Sequence, residues 1–304
     1  MINIILDCDI GVDDASALIM LLKNQQKVRL SLVSTVAGNS KIENVCNNTI
    51  FILRNFATRW VSVAVGASKP LYGERKLDAS DVHGEGGLGG LKVEKQSDAK
   101  FTLEVAEEKI YKTLSSSKQK ITLVAIGPLT NIALLIKKHP EIVKKIAKII
   151  IMGGSISGIG NITPFAEYNF VWDVDAAKSV AESGLKIYLS PIENANNMPV
   201  CDDEILASLK DAEHAEILKK IFLNLQDGSV PFGFALHDSC AAAFLLKPNL
   251  FKTLKCDIKI NNDKKDKRYG QCFCEINKKG KNLVFVPKNY QKVKNFILKT
   301  TFGG

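Results

Sequence analysis

Apolar residues recur along this chain in two alternating modes. Short, mainly apolar runs, Ile2 to Leu6, Val28 to Val36, Val61 to Val65, Ile121 to Ile126, Ile146 to Met152 and Leu185 to Leu189, have the length and branched-residue content of buried strands. Between them the spacing becomes helical. Asp13 to Leu22 carries Ala17, Leu18, Leu21 and Leu22, and helices are also predicted over Ile42 to Phe56, Phe101 to Leu114 and Asp175 to Ser183. Pro128 sits where a helix can begin, because its missing N–H costs nothing there. This succession predicts an α/β fold: an open, mainly parallel sheet flanked by helices, with a Rossmann-like core. Beyond Pro191 the pattern is more helical, near Asp203 to Lys210, Glu213 to Leu225 and His237 to Leu246. Lys255 to Val286 reads as a small antiparallel C-terminal addition with turns at Asn261-Asn262-Asp263 and Lys279-Gly280, followed by a helix from Tyr290 to Leu298. No internal repeat or linker interrupts the chain, so a single domain over residues 1–304 is expected.

The balance of 46% hydrophobic and 24% charged residues is that of a globular protein. No apolar run reaches membrane-spanning length, and the N-terminus enters a strand without a secretory leader's basic start. A cytoplasmic location with no membrane partner is the expectation. Seven scattered cysteines without a CxxC pair predict reduced, mostly buried thiols rather than a disulfide framework or structural zinc. The net charge is +9, and Lys255 to Lys299 alone holds thirteen basic against four acidic residues. That segment has few aromatics placed for base stacking. It reads as a solvated basic face, and no nucleic-acid partner is expected.

Ligands of such sheets bind at the carboxyl ends of the strands. The most unusual chemistry follows the first strand, where Asp7, Asp9, Asp13 and Asp14 put four carboxylates within eight residues. Asp13 and Asp14 fall at a helix start, where N–H groups and the dipole favour negative charge, and Gly11 permits the turn before them. Crowded carboxylates repel unless protons or a cation compensate, and a hard divalent cation is the natural partner. An EF-hand is excluded, since its bidentate glutamate would fall at Leu18. A dehalogenase-type phosphatase also uses D-x-D, but Ile10, Gly11 and Val12 lack the hydroxyl that follows in that class.

Taken with its later partners, the cluster resembles the inosine–uridine-preferring nucleoside hydrolase family, from Ile4 to about Phe251. The resemblance rests on DCDIGVDDASAL, VAGN ending at Asn39, HGEGGLGG from His83, IGPLTNIA from Ile126, IIMGG ending at Gly154, GNITPFAEYNF from Gly160 and HDSCAAAF from His237. Together, in this order, these motifs are highly specific. The resemblance implies a calcium-dependent hydrolase that cleaves the N-glycosidic bond of ribonucleosides. Asp9 would act as general base and touch the metal, held also by Asp14, Asp238 and the Ile126 carbonyl. Asp13, Asn161, Glu167 and Asn169 would grip the ribose hydroxyls, and Asn39 would support the aspartates. His237 would lie on the leaving-group side and His83 near the base, with Met152 as wall packing. A homodimer or homotetramer is implied as well.

Cleavage of this kind passes through an oxocarbenium-like sugar. A cation that holds both diol and water would position the nucleophile, and Asp13 and Glu167 would stabilise positive charge. A histidine can protonate the departing base. Two positions depart from the family's common prolines, Ile10 and Ser239. The stretch from Leu225 to Leu236 lacks the tyrosines of some purine-acting members, so base preference stays open. The alternative is a non-catalytic nucleoside- or ribose-binding protein on the same scaffold.

Overall fold

The computed structural model describes residues 1–74, 77, 79–95, 104–225, 228 and 230–303. Its strands are β1 (Ile2–Cys8), β2 (Val28–Thr35), β3 (Ser62–Val65), β4 (Ile121–Ala125), β5 (Ile146–Met152), β6 (Ile187–Ser190), β7 (Phe251–Ile260), β8 (Cys272–Ile276) and β9 (Asn282–Pro287). The α-helices are α1 (Val12–Leu22), α2 (Ile42–Phe56), α3 (Ser80–His83), α4 (Ala106–Ser116), α5 (Thr130–Lys138), α6 (Tyr168–Trp172), α7 (Val174–Glu182), α8 (Glu193–Asn196), α9 (Asp202–Ser208), α10 (Ala215–Phe222), α11 (His237–Leu246) and α12 (Tyr290–Phe302). The helix expected from Phe101 begins at Ala106, and residues 101–103 of that expectation lie outside the described residues.

All nine strands form one sheet in the order β3-β2-β1-β4-β5-β6-β9-β7-β8. The ladder from β3 to β9 is parallel throughout, and β7 then pairs antiparallel with both β9 and β8. The mainly parallel sheet expected from the βα rhythm is present. The expected antiparallel C-terminal strands are present as well. They extend the main sheet, and β9 joins it in the parallel sense beside β6.

Parallel strands covered on both faces carry apolar side chains at every position, with a period of two deciding which layer each one meets. On β1, Ile4, Leu6 and Cys8 enter the core beneath α1, α11 and α12, and Ile5 enters the core beneath α4, α5 and α7. Val124, Ile150 and Met152 join the first layer, and Leu123, Ile149 and Ile151 the second. Helices α1 and α11 are buried along their entire length. Burial on all sides explains why both read as small and apolar around their whole circumference.

The order places the chain's reversal at β1. From there the chain runs outward to β2 and β3, then returns to β4 on the other side. The carboxyl ends of β1 and β4 therefore lie at the switch point where open α/β sheets bind ligands. Asp7 lies in register with Ala125, and the Ile126 N–H donates to the Asp7 carbonyl at 2.9 Å. The aspartate segment and the Ile126 segment leave the sheet side by side at that point.

Candidate active site

The turn between β1 and α1 folds back on its own carboxylate. Asp14 Oδ1 accepts from the Asp9 N–H at 3.1 Å, and Asp14 Oδ2 accepts from the Gly11 N–H at 3.0 Å. A carboxylate at this position satisfies amides at the helix start that have no partner within the helix. The loop after β2 closes the other side. Asn39 Nδ2 donates to Asp14 Oδ2 at 3.0 Å, and the Asn39 N–H donates to Asp9 Oδ2 at 2.8 Å.

Asp9 is wedged between two glycines. A Cβ at Gly38 would stand 2.0 Å from Asp9 Oδ2, and one at Gly127 would stand 2.6 Å from Asp9 Oδ1. No larger residue fits at either place without moving the carboxylate. This explains the glycines of VAGN and IGPLTN, which the sequence marks as motif without showing what they touch.

The four-aspartate run divides in space. Asp7 turns away to a separate anchor, where Oδ1 accepts from Ser34 Oγ at 2.5 Å and from Asn131 Nδ2 at 2.8 Å. Burial pushes its carboxyl up to about 6, against the pull of those two donors. Helix α11 instead delivers Asp238 to α1. Asp13, Asp14 and Asp238 each offer an oxygen within 4.8 Å of the others, and all three are buried. Asp9 stands outside that trio but beside Asp14, is 1% exposed, and does not itself line the cavity over the trio. Burial holds Asp9 well above the usual carboxylate range, and the Asp14 charge adds to this. Burial raises Asp238 likewise, followed by the charges of Asp13, Asp14 and Asp9. Burial also raises Asp14, against its amide donors. Buried, mutually repelling carboxylates with only hard oxygen donors suit a divalent cation of the calcium or magnesium type.

A cavity of about 280 Å³ opens over this trio. Asp13, Asp238, Asn39 and Ile126 line its floor. One wall comes from the glycine-rich segment after β5 and the start of α6: Met152, Asn161, Ile162, Glu167, Tyr168 and Asn169. Asn169 Nδ2 donates to the Ile126 carbonyl at 2.9 Å and lies 3.3 Å from Met152 Sδ. Asn161 Oδ1 accepts from the Tyr168 N–H at 3.0 Å. The Tyr168 hydroxyl donates to the Gly38 carbonyl at 2.8 Å, which ties this wall to the loop under Asp9. Tyr168 was not singled out in the sequence, although it stands inside the AEYNF motif.

Glu167 caps α6. Its Oε1 accepts from the Asn169 N–H at 2.9 Å, and Oε2 accepts from the N–H groups of Gly154 at 2.9 Å and Phe170 at 3.1 Å. Burial lifts its carboxyl to about 7 against these three donors. Both oxygens must therefore accept. Glu167→Gln turns an NH₂ donor toward an amide donor, and is expected to cost about 1–3 kcal/mol of stability. Thermal unfolding measures this directly, and an unchanged melting temperature would contradict the capping role.

The opposite wall holds Val82, His83, Phe234, Ala235 and His237. His83, expected in a loop, closes the single turn α3, and its Nδ1 accepts from the Val12 N–H at 3.2 Å. Phe234 meets His83 edge-on, with centroids 6.0 Å apart. Of the pair Phe232 and Phe234, the second lines the cavity while Phe232 stands 61% exposed. Asp81 and Ala79 also reach the cavity. Nothing in their spacing signals this, because α3 is too short to leave a periodic trace.

Comparison with known proteins agrees with this geometry. The family model described as "Inosine-uridine preferring nucleoside hydrolase" matches residues 4–296. Over 260 residues the chain is 38% identical to the non-specific ribonucleoside hydrolase RihC of Klebsiella pneumoniae subsp. pneumoniae, covering 84% of this chain and 83% of the relative. It is 39% identical over 264 residues to the pyrimidine-specific ribonucleoside hydrolase RihA of Shewanella baltica, covering 85% and 82%. Its fold is similar to that of the purine-preferring ribonucleoside hydrolase from Gardnerella vaginalis, with a TM-score of 0.88, 25% identity and coverage of 99% and 98%. The chain therefore belongs to the inosine–uridine preferring nucleoside hydrolase family and is a hydrolase of the N-glycosyl bond of ribonucleosides.

Proposed function

We propose that this enzyme hydrolyses ribonucleosides to ribose and free base in a calcium-dependent reaction centred on the β1–β4 crevice. The observation that carries this reading is the convergence of Asp13, Asp14 and Asp238 beneath a cavity that the Ile126 carbonyl also lines. Asp14, Asp238 and Ile126 would hold the cation, with Asp9 beside Asp14. When bound, such an ion lowers the pKa of a water and screens the carboxylates from one another.

The protein's own groups account for the rest. Asp9, clamped by the Asn39 amide and two glycines, is oriented to take a proton from an attacking water. Asp13, Asn161, Glu167 and Asn169 line the cavity where ribose hydroxyls would sit, and the carboxylates of Asp13 and Glu167 would favour an oxocarbenium-like sugar. His237, on the opposite wall, is placed to protonate the departing base, and His83 and Phe234 offer it ring surfaces.

The relatives named above are described as non-specific, pyrimidine-specific and purine-preferring, so base preference is decided by assay. Ribose release from uridine, cytidine, inosine and adenosine is the deciding assay. Release from at least one is expected with calcium present. Nucleoside binding by calorimetry without any release would leave a binding protein instead. Because the site is built to hold the diol, 2′-deoxyuridine should show a kcat/KM lower than uridine by at least about 10²-fold. Equal rates would remove the diol from the scheme.

A further inference from the structure

Three hydroxyls sit where only apolar packing would be expected. Ser16 on α1, Ser239 on α11 and Thr301 on α12 are each 0% exposed. Ser239 Oγ donates to Ser16 Oγ at 2.7 Å, and Ser16 Oγ lies 2.9 Å from Thr301 Oγ1. They form one continuous chain across three helices. The surrounding residues of α1 and α11, Ala15, Ala17, Met20, Ala241 and Ala242, offer no polar alternative. If the helices slide or rotate, a buried hydroxyl loses its partner, whereas the small apolar residues beside it would tolerate the shift.

The position of this chain along the helices gives it a functional consequence. Ser239 directly follows Asp238, and Ser16 stands one turn behind Asp13 and two residues behind Asp14. The carboxylate trio comes from two helix starts that are not bonded to each other through the sheet, so its geometry depends on how α1 and α11 are registered. The end of α12 is itself held by the C-cap of α1 and by the segment after α9. Lys23 Nζ donates to the Thr301 carbonyl at 3.0 Å and to the Gly303 carbonyl at 2.7 Å, and the Lys210 N–H donates to the Phe302 carbonyl at 2.8 Å. The last helix is thereby pinned to α1 at its far end and to the segment after α9, and its hydroxyl carries that anchorage through Ser16 to Ser239 on α11.

We propose that Ser16, Ser239 and Thr301 are positioning residues for the cation cradle, setting the separation of Asp238 from Asp13 and Asp14 and making the C-terminal helix part of the metal site. This inference rests on the reading of the trio as a divalent-cation site.

The test is calorimetric titration of the full-length enzyme with calcium chloride, without substrate. Thr301→Val keeps the side-chain shape and removes the hydroxyl, Thr301→Ser keeps the hydroxyl, and Ser239→Ala breaks the chain at its other end. Thr301→Val and Ser239→Ala are expected to weaken calcium binding about three- to tenfold, the effect of one buried hydrogen bond expressed in affinity. Thr301→Ser should remain within about twofold of the parent. A second readout separates positioning from general loosening: at saturating calcium, kcat of Thr301→Val should recover toward the parent value. Calcium affinity unchanged in Thr301→Val and Ser239→Ala, with only the melting temperature lowered, would overturn the inference and leave the cation site standing. No calcium binding by the parent enzyme would overturn both.

Discussion

Asp9→Ala is expected to lower kcat by about 10³-fold while leaving the fold intact, within the range for removal of a general base. The side chain accepts from the Asn39 N–H, meets the Asp14 carboxyl and is packed against Gly38 and Gly127. Alanine removes a buried charge that burial and Asp14 already disfavour, so stability should hold or rise. That opposition of effects is the diagnostic. A variant that is inactive because it has unfolded would show a lower melting temperature. Near-normal turnover in a folded variant would remove Asp9 as the base and direct attention to Asp13, a carboxylate of the same turn that does line the cavity. Asp9→Asn is the companion measurement. It preserves the volume between the two glycines and should be as inactive as alanine, since an amide cannot take the proton.

Chelation of divalent metal is expected to abolish turnover and to lower the melting temperature, and calcium should restore both. Burial pushes up Asp9, Asp14 and Asp238, and neighbouring carboxylates push Asp9 and Asp238 further, so without a cation the cluster carries protons or repels. A cation that binds only the folded state adds about 2.7 kcal/mol of stability at about a hundred times its Kd. The rise in melting temperature should therefore grow with calcium concentration rather than saturate at stoichiometry. Turnover unaffected by exhaustive chelation would rule out the metal reading. Asp238→Ala should reproduce the chelated state, since it removes the oxygen that α11 supplies.

These two outcomes depend on features of very different legibility. The strands and most helices could be read directly because their signal is local. Ile149 to Met152 is apolar at every position because a parallel strand is covered on both faces, and that requirement is written in consecutive residues. The crevice was also legible in outline, since polar segments follow strands at Asp9, Asn39, Ile126 and Met152. The joining of the C-terminal strands to the main sheet was not legible. Pairing of β9 with β6 depends on a neighbour nearly a hundred residues away, and nothing in Asn282–Pro287 names its partner. The short α3 was hidden for a related reason, because a single turn gives no period.

By itself the sequence determined which chemistry this protein carries. Aspartates crowded at a strand end call for an oxygen-ligated cation, because residue type limits what a side chain can donate or accept, and the ordered motifs add sugar recognition through the family they resemble. Only the tertiary structure decided which of these groups act together. It sent Asp7 to Ser34 and Asn131, drew Asp238 to Asp13 and Asp14 across more than two hundred residues, and bridged the two helices through Ser16, Ser239 and Thr301. The reason is that adjacency along a chain constrains backbone direction, whereas convergence of side chains is set by strand order and by helix packing, which are properties of the whole core.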